Sequence, residues 1–484
     1  MNNKSMKKNA VLMVAKTLLS LIVPLVTFPY ISRVLQVDAI GQFNFSSSIV
    51  SYFLLLAGLG ISTYAIREGT KIREDRKAIS EFTSEMYLLN WISTLLSYVL
   101  MLLLLILFEK LSNYSALILI LSVQIVFTTF GRAWIYNVFE DFTFVTVVQV
   151  LFQVISVISL FLFVHTPKDL NVYAVINVVS ATGSNLLYGW HTRKYVDIHK
   201  VSLESLKRHV KPILIIFSTS IATTIYVNSD MTILGWIVDD RSVGLYSTAV
   251  KIYNIVKQVF VAVITVSIPR LTLLSGTDEF KKLFSRVLNM LLFMTLPAVT
   301  GLFVLSDNVI LVIASENYLA AATALKWLCI ALVFALVACL FGMSVLLPYG
   351  KEKILFVSTA VSAAINIVAN FALIPIYKQN AAAFTTALSQ FVAFLICFCY
   401  SRQHVDMKLS YKSIASTVLG CMGIIATCKV IKVMQYPTVW ETVFCIGGSC
   451  IVYFVINLVI KNSALAETVD SMINMLRRKM KQSN

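Results

Sequence analysis

Charge is scarce in this chain. Only 13% of its 484 residues are Asp, Glu, Lys or Arg, while 58% are hydrophobic and the mean hydropathy is +0.82. Soluble domains carry about 25% charged residues, so the composition excludes a soluble protein and predicts a polytopic membrane protein. Histidine is rarer still. His165, His191, His199, His209 and His404 fall singly at span ends or in loops, which argues against a metal centre or an acid–base site. No cysteine precedes Cys329, and the eight that follow form no CxxC pair, so no disulfide framework is expected. A GxxxxGK[ST] loop is missing as well, which excludes ATP hydrolysis by the chain itself. No polar stretch is long enough for a separate globular domain, and no cofactor or metal is expected.

What the sequence does have is apolar runs. A spanning helix needs about 20 mostly apolar residues, and about fourteen such windows recur. Six lie at 10–34, 39–63, 83–108, 114–139, 142–164 and 172–190, and six at 212–236, 244–268, 287–306, 319–347, 354–376 and 380–400. Two more follow at 413–434 and 440–460. No small-residue cleavage site follows the first, so it reads as a retained helix.

Lysine and arginine gather in alternate connections, among them Arg67–Lys77, Arg193–Lys211, Arg270–Arg286 and the tail after Lys461. Positive loops stay cytoplasmic, and they share one side only if the span count is even, so both termini are expected there. The net charge of +16 follows from this topology and from attraction to anionic headgroups. It needs no nucleic acid.

The longest basic connection divides the chain. Gly41 and Gly244, Ile49 and Ile252, Ile61 and Ile264, Arg67 and Arg270, and Asp75 and Asp278 all match at an offset of 203 residues. A parallel repeat of six spans is therefore expected. The expected fold is all-α, with two six-helix lobes at 1–192 and 212–402, a basic linker at 193–211, and two further spans within 413–460. The tail 461–484 reads as a basic amphipathic surface helix or a frayed end. Pro24 and Pro29 fall inside the first span and Pro297 in the ninth, where each removes a backbone hydrogen bond. Such kinks serve gating or simple packing.

Charges within the spans are the candidate site. Lys16, Arg132, Lys251, Lys257 and Lys326 lie inside apolar windows, with Arg67 and Arg270 near span ends. Ionisable residues at depth mark pathways or cavities. Lys251, Asn254, Lys257 and Gln258 fall on one helical side, a polar stripe suited to a cavity. Lys251, Lys16 and Lys326 are also within snorkelling reach of an interface, and Arg67 and Arg270 also suit topological anchors. Asp230 is the clearest acid in a span, fit to pair with a lysine or to carry a coupling ion. Cations outnumber acids at depth, which favours an anionic substrate such as phosphate or pyrophosphate. Tyr226, Tyr253, Trp134, Tyr136 and Trp327 share these helices and suit sugar stacking or interfacial anchoring.

The stretches "FPYISRVLQVDAIGQFNFSSSIVSYFLLLAGLGISTYAIRE", "FGRAWIYNVFED" and "LLPYGKEK" resemble bacterial polysaccharide flippases of the Wzx type, in the multidrug/oligosaccharidyl-lipid/polysaccharide exporter superfamily. The resemblance implies a V-shaped helical fold with a cationic cavity in the bacterial inner membrane. It implies translocation of undecaprenyl-pyrophosphate-linked oligosaccharide by alternating access. Lys16, Arg132, Lys251 and Lys257 would hold the pyrophosphate. Membrane lipids, a polysaccharide polymerase and a chain-length regulator would be the partners. The alternatives are a multidrug/cation antiporter of the same superfamily, which would favour acidic residues in its cavity, and a scaffold of a polysaccharide assembly complex, which would tolerate loss of the cations.

Overall fold

The structure, a computed structural model, describes the backbone of residues 3–405, 411–462 and 465, and the side chains from residue 22 onward apart from Thr219. Among the described residues every regular element is helical and there is no strand. Among the described residues eleven helices are long and apolar enough to cross a membrane. In hydrocarbon each backbone N–H and C=O must be satisfied within its own segment, which helices achieve; the chain is a multi-pass membrane protein. Most of the tail at 461–484 and the Lys16 side chain lie outside the described residues.

Residues 1–244 form one compact unit. Its first helix, α1 (Asn3–Gly58), has 56 residues, about 84 Å at 1.5 Å each, against a hydrocarbon core of about 30 Å. It therefore has to break, and it does so at Gln36, whose φ of 65° and ψ of 178° leave the helical region. Pro24 and Pro29 lie inside the helix, and the break comes after both. There follow α2 (Ile61–Ile72), α3 (Arg76–Leu107), α4 (Glu109–Ser112), α5 (Ser115–Gly131), α6 (Trp134–Val138), α7 (Phe142–Phe163), α8 (Leu170–Thr182), α9 (Ser184–His191) and α10 (Lys207–Ile237). The start of α3 is capped by Asp75, whose carboxylate accepts from the N–H groups of Lys77 and Ala78 at 2.9 and 3.1 Å.

α1 runs through the middle of this unit, with α3, α5, α7 and α10 packed on it. Side-chain polar groups hold the apolar helices together where burial against lipid gives little preference between them. Asn90 and Ser93 donate to the Ala57 carbonyl at 2.8 and 2.6 Å, and Ser97 donates to that of Phe53 at 2.7 Å. Tyr52 and Ser48 both meet the Thr232 hydroxyl, at 3.1 and 3.0 Å, which fastens α10 to α1.

The chain divides into compact units at Gly244/Leu245, because α10 packs along α1 and stays with the first unit. Within that unit α1 also meets the first turn of α11 (Asp240–Leu273). A Cβ on Gly41 would run into the Asp240 carbonyl, and one on Gly244 into the Val37 carbonyl. Both contacts keep the offset of 203, since 240 corresponds to 37 as 244 does to 41. The two matched glycines thus serve one reciprocal close approach.

Residues 245–484 form the second unit. After most of α11 come α12 (Asp278–Val304), α13 (Ser306–Ile313), α14 (Ala321–Phe341), α15 (Glu352–Ser401), α16 (Tyr411–Val433) and α17 (Thr438–Val459). α15 has 50 residues and breaks at Lys378, with φ 50° and ψ −131°. α14 is apolar all round and largely buried, as the central helix of a bundle should be. α16 and α17 pair with each other and lie on α12, where Tyr453 donates to the Phe293 carbonyl at 2.6 Å. The last two spans are therefore part of this unit's packing.

Candidate functional site

Arg132 is the deepest cation of the first unit. α5 stops at Gly131 and Arg132 takes a left-handed backbone, φ 47°, which turns the chain and swings the side chain inward. The guanidinium is 8% exposed. Its carbon sits 4.4 Å from the Tyr87 ring centroid and 5.8 Å from that of Phe130, and Nη2 donates to the Gly189 carbonyl at 2.7 Å. Nε is buried with no hydrogen-bond partner among the described residues. Glu140, two turns on, is engaged elsewhere: its Oε1 accepts from Arg73 at 2.8 Å. A buried guanidinium held by rings and a carbonyl keeps its charge available to an anion.

Other candidates of this unit differ. Arg67 is exposed and its Nε pairs with Glu68 at 2.8 Å. Asp230 is buried in α10, two residues before Thr232.

In the second unit the candidate residues lie on α11, where Ile252, Tyr253, Phe260 and Ile264 are buried, Asn254 and Gln258 are exposed, and Lys251 and Lys257 are half-buried. The Lys257 ammonium lies 5.5 Å from the Tyr253 ring centroid. Arg270 is exposed. Lys326 stands apart from the stripe's chemistry, because its Nζ lies 3.0 Å from Asp307 Oδ2. The expectation that the cations at depth lack protein carboxylates thus fails at Lys326.

The next turn of α11 lines an apolar groove of about 490 Å³. Phe260, Pro297, Gly301, Leu305, Ile424 and Tyr453 are among its walls, drawn from α11, α12, α16 and α17. The Gly301 Cβ position faces open space. Sequence reasoning missed this groove, since its walls come from helices far apart in the chain and are individually ordinary.

It also missed Glu85. This side chain is fully buried near the start of α3, where it accepts from Arg208 Nη2 at 2.7 Å and lies 2.8 Å from His209 Nε2. His209 Nδ1 in turn lies 2.8 Å from the Tyr64 hydroxyl. The signal was a glutamate inside the predicted span 83–108. Outside the spans, burial and a 2.6 Å bond to Asp141 push the Tyr195 phenol above its ordinary range.

Three comparisons bear on this geometry. The lipid II flippase MurJ in an inward closed conformation superposes with a TM-score of 0.74 at 17% identity, over 94% of this chain and all of that one. A multidrug resistance MATE family transporter of the MOP superfamily, inward-facing, gives 0.53 at 14% identity over 79% and 97%. These likenesses establish the fold. An O-antigen transporter of Escherichia coli K12 is 20% identical over 52% of this chain, which spans 61% of that relative's length. One of Shigella dysenteriae is 21% identical over 77% of this chain and 94% of its own. Residues 6–275 match the sequence profile of the polysaccharide biosynthesis protein family, more than half of the chain, and the protein belongs to that family.

Proposed function

We propose that the chain is a flippase that carries undecaprenyl-pyrophosphate-linked oligosaccharide repeat units from the cytoplasmic to the outer leaflet of the bacterial inner membrane, for surface polysaccharide synthesis. The observation that carries this reading is on α11. The Lys257 ammonium precedes the groove walls Val259 and Phe260 by less than one turn, and Lys251 precedes them by more than two turns on the same helix. A cationic stripe beside an apolar groove fits an anionic headgroup joined to a long hydrocarbon chain. An organic cation would be repelled by the same stripe.

In this reading Lys251 and Lys257 neutralise the diphosphate, polar groups such as Asn254 receive the sugars, and the groove shelters part of the prenyl chain, while Arg132 and Lys16 are anion contacts of the first unit. Asp230 carries or pairs a coupling ion, and alternating access moves the head across. Each helix that breaks, at Gln36 and at Lys378, crosses twice, and Ser115–Gly131 makes a short crossing. The chain then threads the membrane fourteen times with both ends cytoplasmic, beside the polymerase and chain-length regulator.

The test is complementation of a flippase-null strain with the wild-type chain, Lys257→Ala and Lys257→Arg. Loss of one charge-assisted contact is worth about 1.5–3 kcal/mol, so Lys257→Ala should transport about tenfold less while Lys257→Arg keeps most activity. Failure of the wild type to complement would sink the flippase reading, and equal activity of all three would remove Lys257 from the site.

A further inference from the structure

The connection at 193–211 carries six cations, Arg193, Lys194, Lys200, Lys207, Arg208 and Lys211, against two anions, Asp197 and Glu204. A run of that composition should be a solvated loop. It is tied down along its length. At its start Tyr195 donates to Asp141, and Val196 is buried. Next, the N–H groups of Asp197 and His199 donate to the hydroxyls of Ser80 and Ser84 at 3.0 and 2.9 Å. Two residues of extended chain advance about 6.6 Å and four residues of helix about 6 Å. Alternate amides of the segment therefore meet successive turns of α3. Arg76 holds Asp197 Oδ2 at 3.1 Å, and at the far end buried Glu85 holds Arg208 and His209.

This anchoring settles which side chains remain outside. Asp197 and Arg208, though exposed, are paired with Arg76 and Glu85. Arg193, Lys194, Lys200, Lys207 and Lys211 are exposed, and among the described residues only Lys207 has a carboxylate within 4 Å, Glu204 at 3.9 Å in the open. Between them stand exposed apolar side chains: Ile198 at 42% and Leu203 at 68% exposure, with Trp190 at 67% just before the segment. In a membrane protein this strap joins the ends of two spanning segments, so it runs at the level of the headgroups. Cations interleaved with exposed apolar residues at that level suit acidic lipid, whose phosphates meet the cations while the acyl boundary accepts Ile198, Leu203 and Trp190. An acidic protein or a nucleic acid would leave the apolar side chains without a role.

We propose that the outer face of the 193–211 strap is a docking surface for anionic phospholipid headgroups, held in shape by its anchoring to α3. The full chain is reconstituted in vesicles of equimolar phosphatidylcholine and phosphatidylglycerol and extracted in mild detergent, and the retained lipids are counted by mass spectrometry. The wild type should retain phosphatidylglycerol about threefold over phosphatidylcholine. Arg193→Gln/Lys194→Gln/Lys200→Gln should abolish that preference. Ser80→Ala/Ser84→Ala keeps every charge but unties the strap, and should weaken it. Lys281→Gln/Lys282→Gln, on the second unit, should not. No preference in the wild type, survival of the preference in the triple variant, or equal loss in the Lys281/Lys282 control would overturn the docking site. Full retention in the serine pair would overturn the role of the anchoring.

Discussion

At the scale of single residues, the most tightly determined group is Glu85. A carboxylate taken fully out of solvent is costly unless its oxygens are bonded, and here a guanidinium and an imidazole supply the bonds. Removing the acid takes the carboxylate partner from both Arg208 and the buried His209. Glu85→Ala should therefore lower the stability of the first unit by about 2 kcal/mol, seen as an earlier unfolding transition in detergent. Glu85→Gln, which keeps one acceptor and the volume, should recover about half of that. An unchanged transition in Glu85→Ala would show that the cluster adds nothing. Reading the sequence did not single out Glu85, because its partners Arg208 and His209 lie more than a hundred residues away. Arg132 was legible for the opposite reason. Its depth follows from local hydropathy alone, although the left-handed turn that aims it inward does not.

Among the elements, apolar runs were read well and helix breaks were read indirectly. The expected spans 10–34 and 39–63 leave a gap that contains Gln36, and 354–376 and 380–400 leave one that contains Lys378. Hydropathy found both places because polar residues interrupt the runs there. Proline signals pointed to Pro24 and Pro29, which stay within helix. Lys378 holds a backbone conformation, φ 50° and ψ −131°, that suits glycine and strains a residue with a Cβ. Lys378→Gly should relieve that strain and raise stability by about 1 kcal/mol, while Lys378→Ile, β-branched, should lower it by at least as much. Thermal unfolding of the purified variants reads both, and a lower midpoint for the glycine variant would contradict the strain argument.

For the whole molecule, the all-helical membrane architecture was legible in the sequence, while the contacts that draw its helices into compact units were not. Contacts between α10 and α1 join segments almost two hundred residues apart, and no local pattern announces them. The groove on the second unit is invisible for the same reason, and it is where the transport reading can be tested without touching a charge. Gly301 offers a route. Its missing side chain faces the groove with no atom nearby, so a large apolar residue there should fill the channel without disturbing its walls. Gly301→Phe is expected to unfold at the wild-type temperature and yet to transport lipid-linked oligosaccharide at least about tenfold more slowly, the effect of some 1.4 kcal/mol of lost chain binding. Gly301→Ala, a single methyl group, should be close to wild type in both respects. A soluble headgroup analogue without the prenyl chain should bind the wild type and Gly301→Phe equally, since the cationic stripe is intact in each. If instead the phenylalanine variant transports at the wild-type rate, the groove does not hold the hydrocarbon chain during translocation; if it also loses the headgroup analogue, the substitution has reached the stripe and the two sites are coupled through α11.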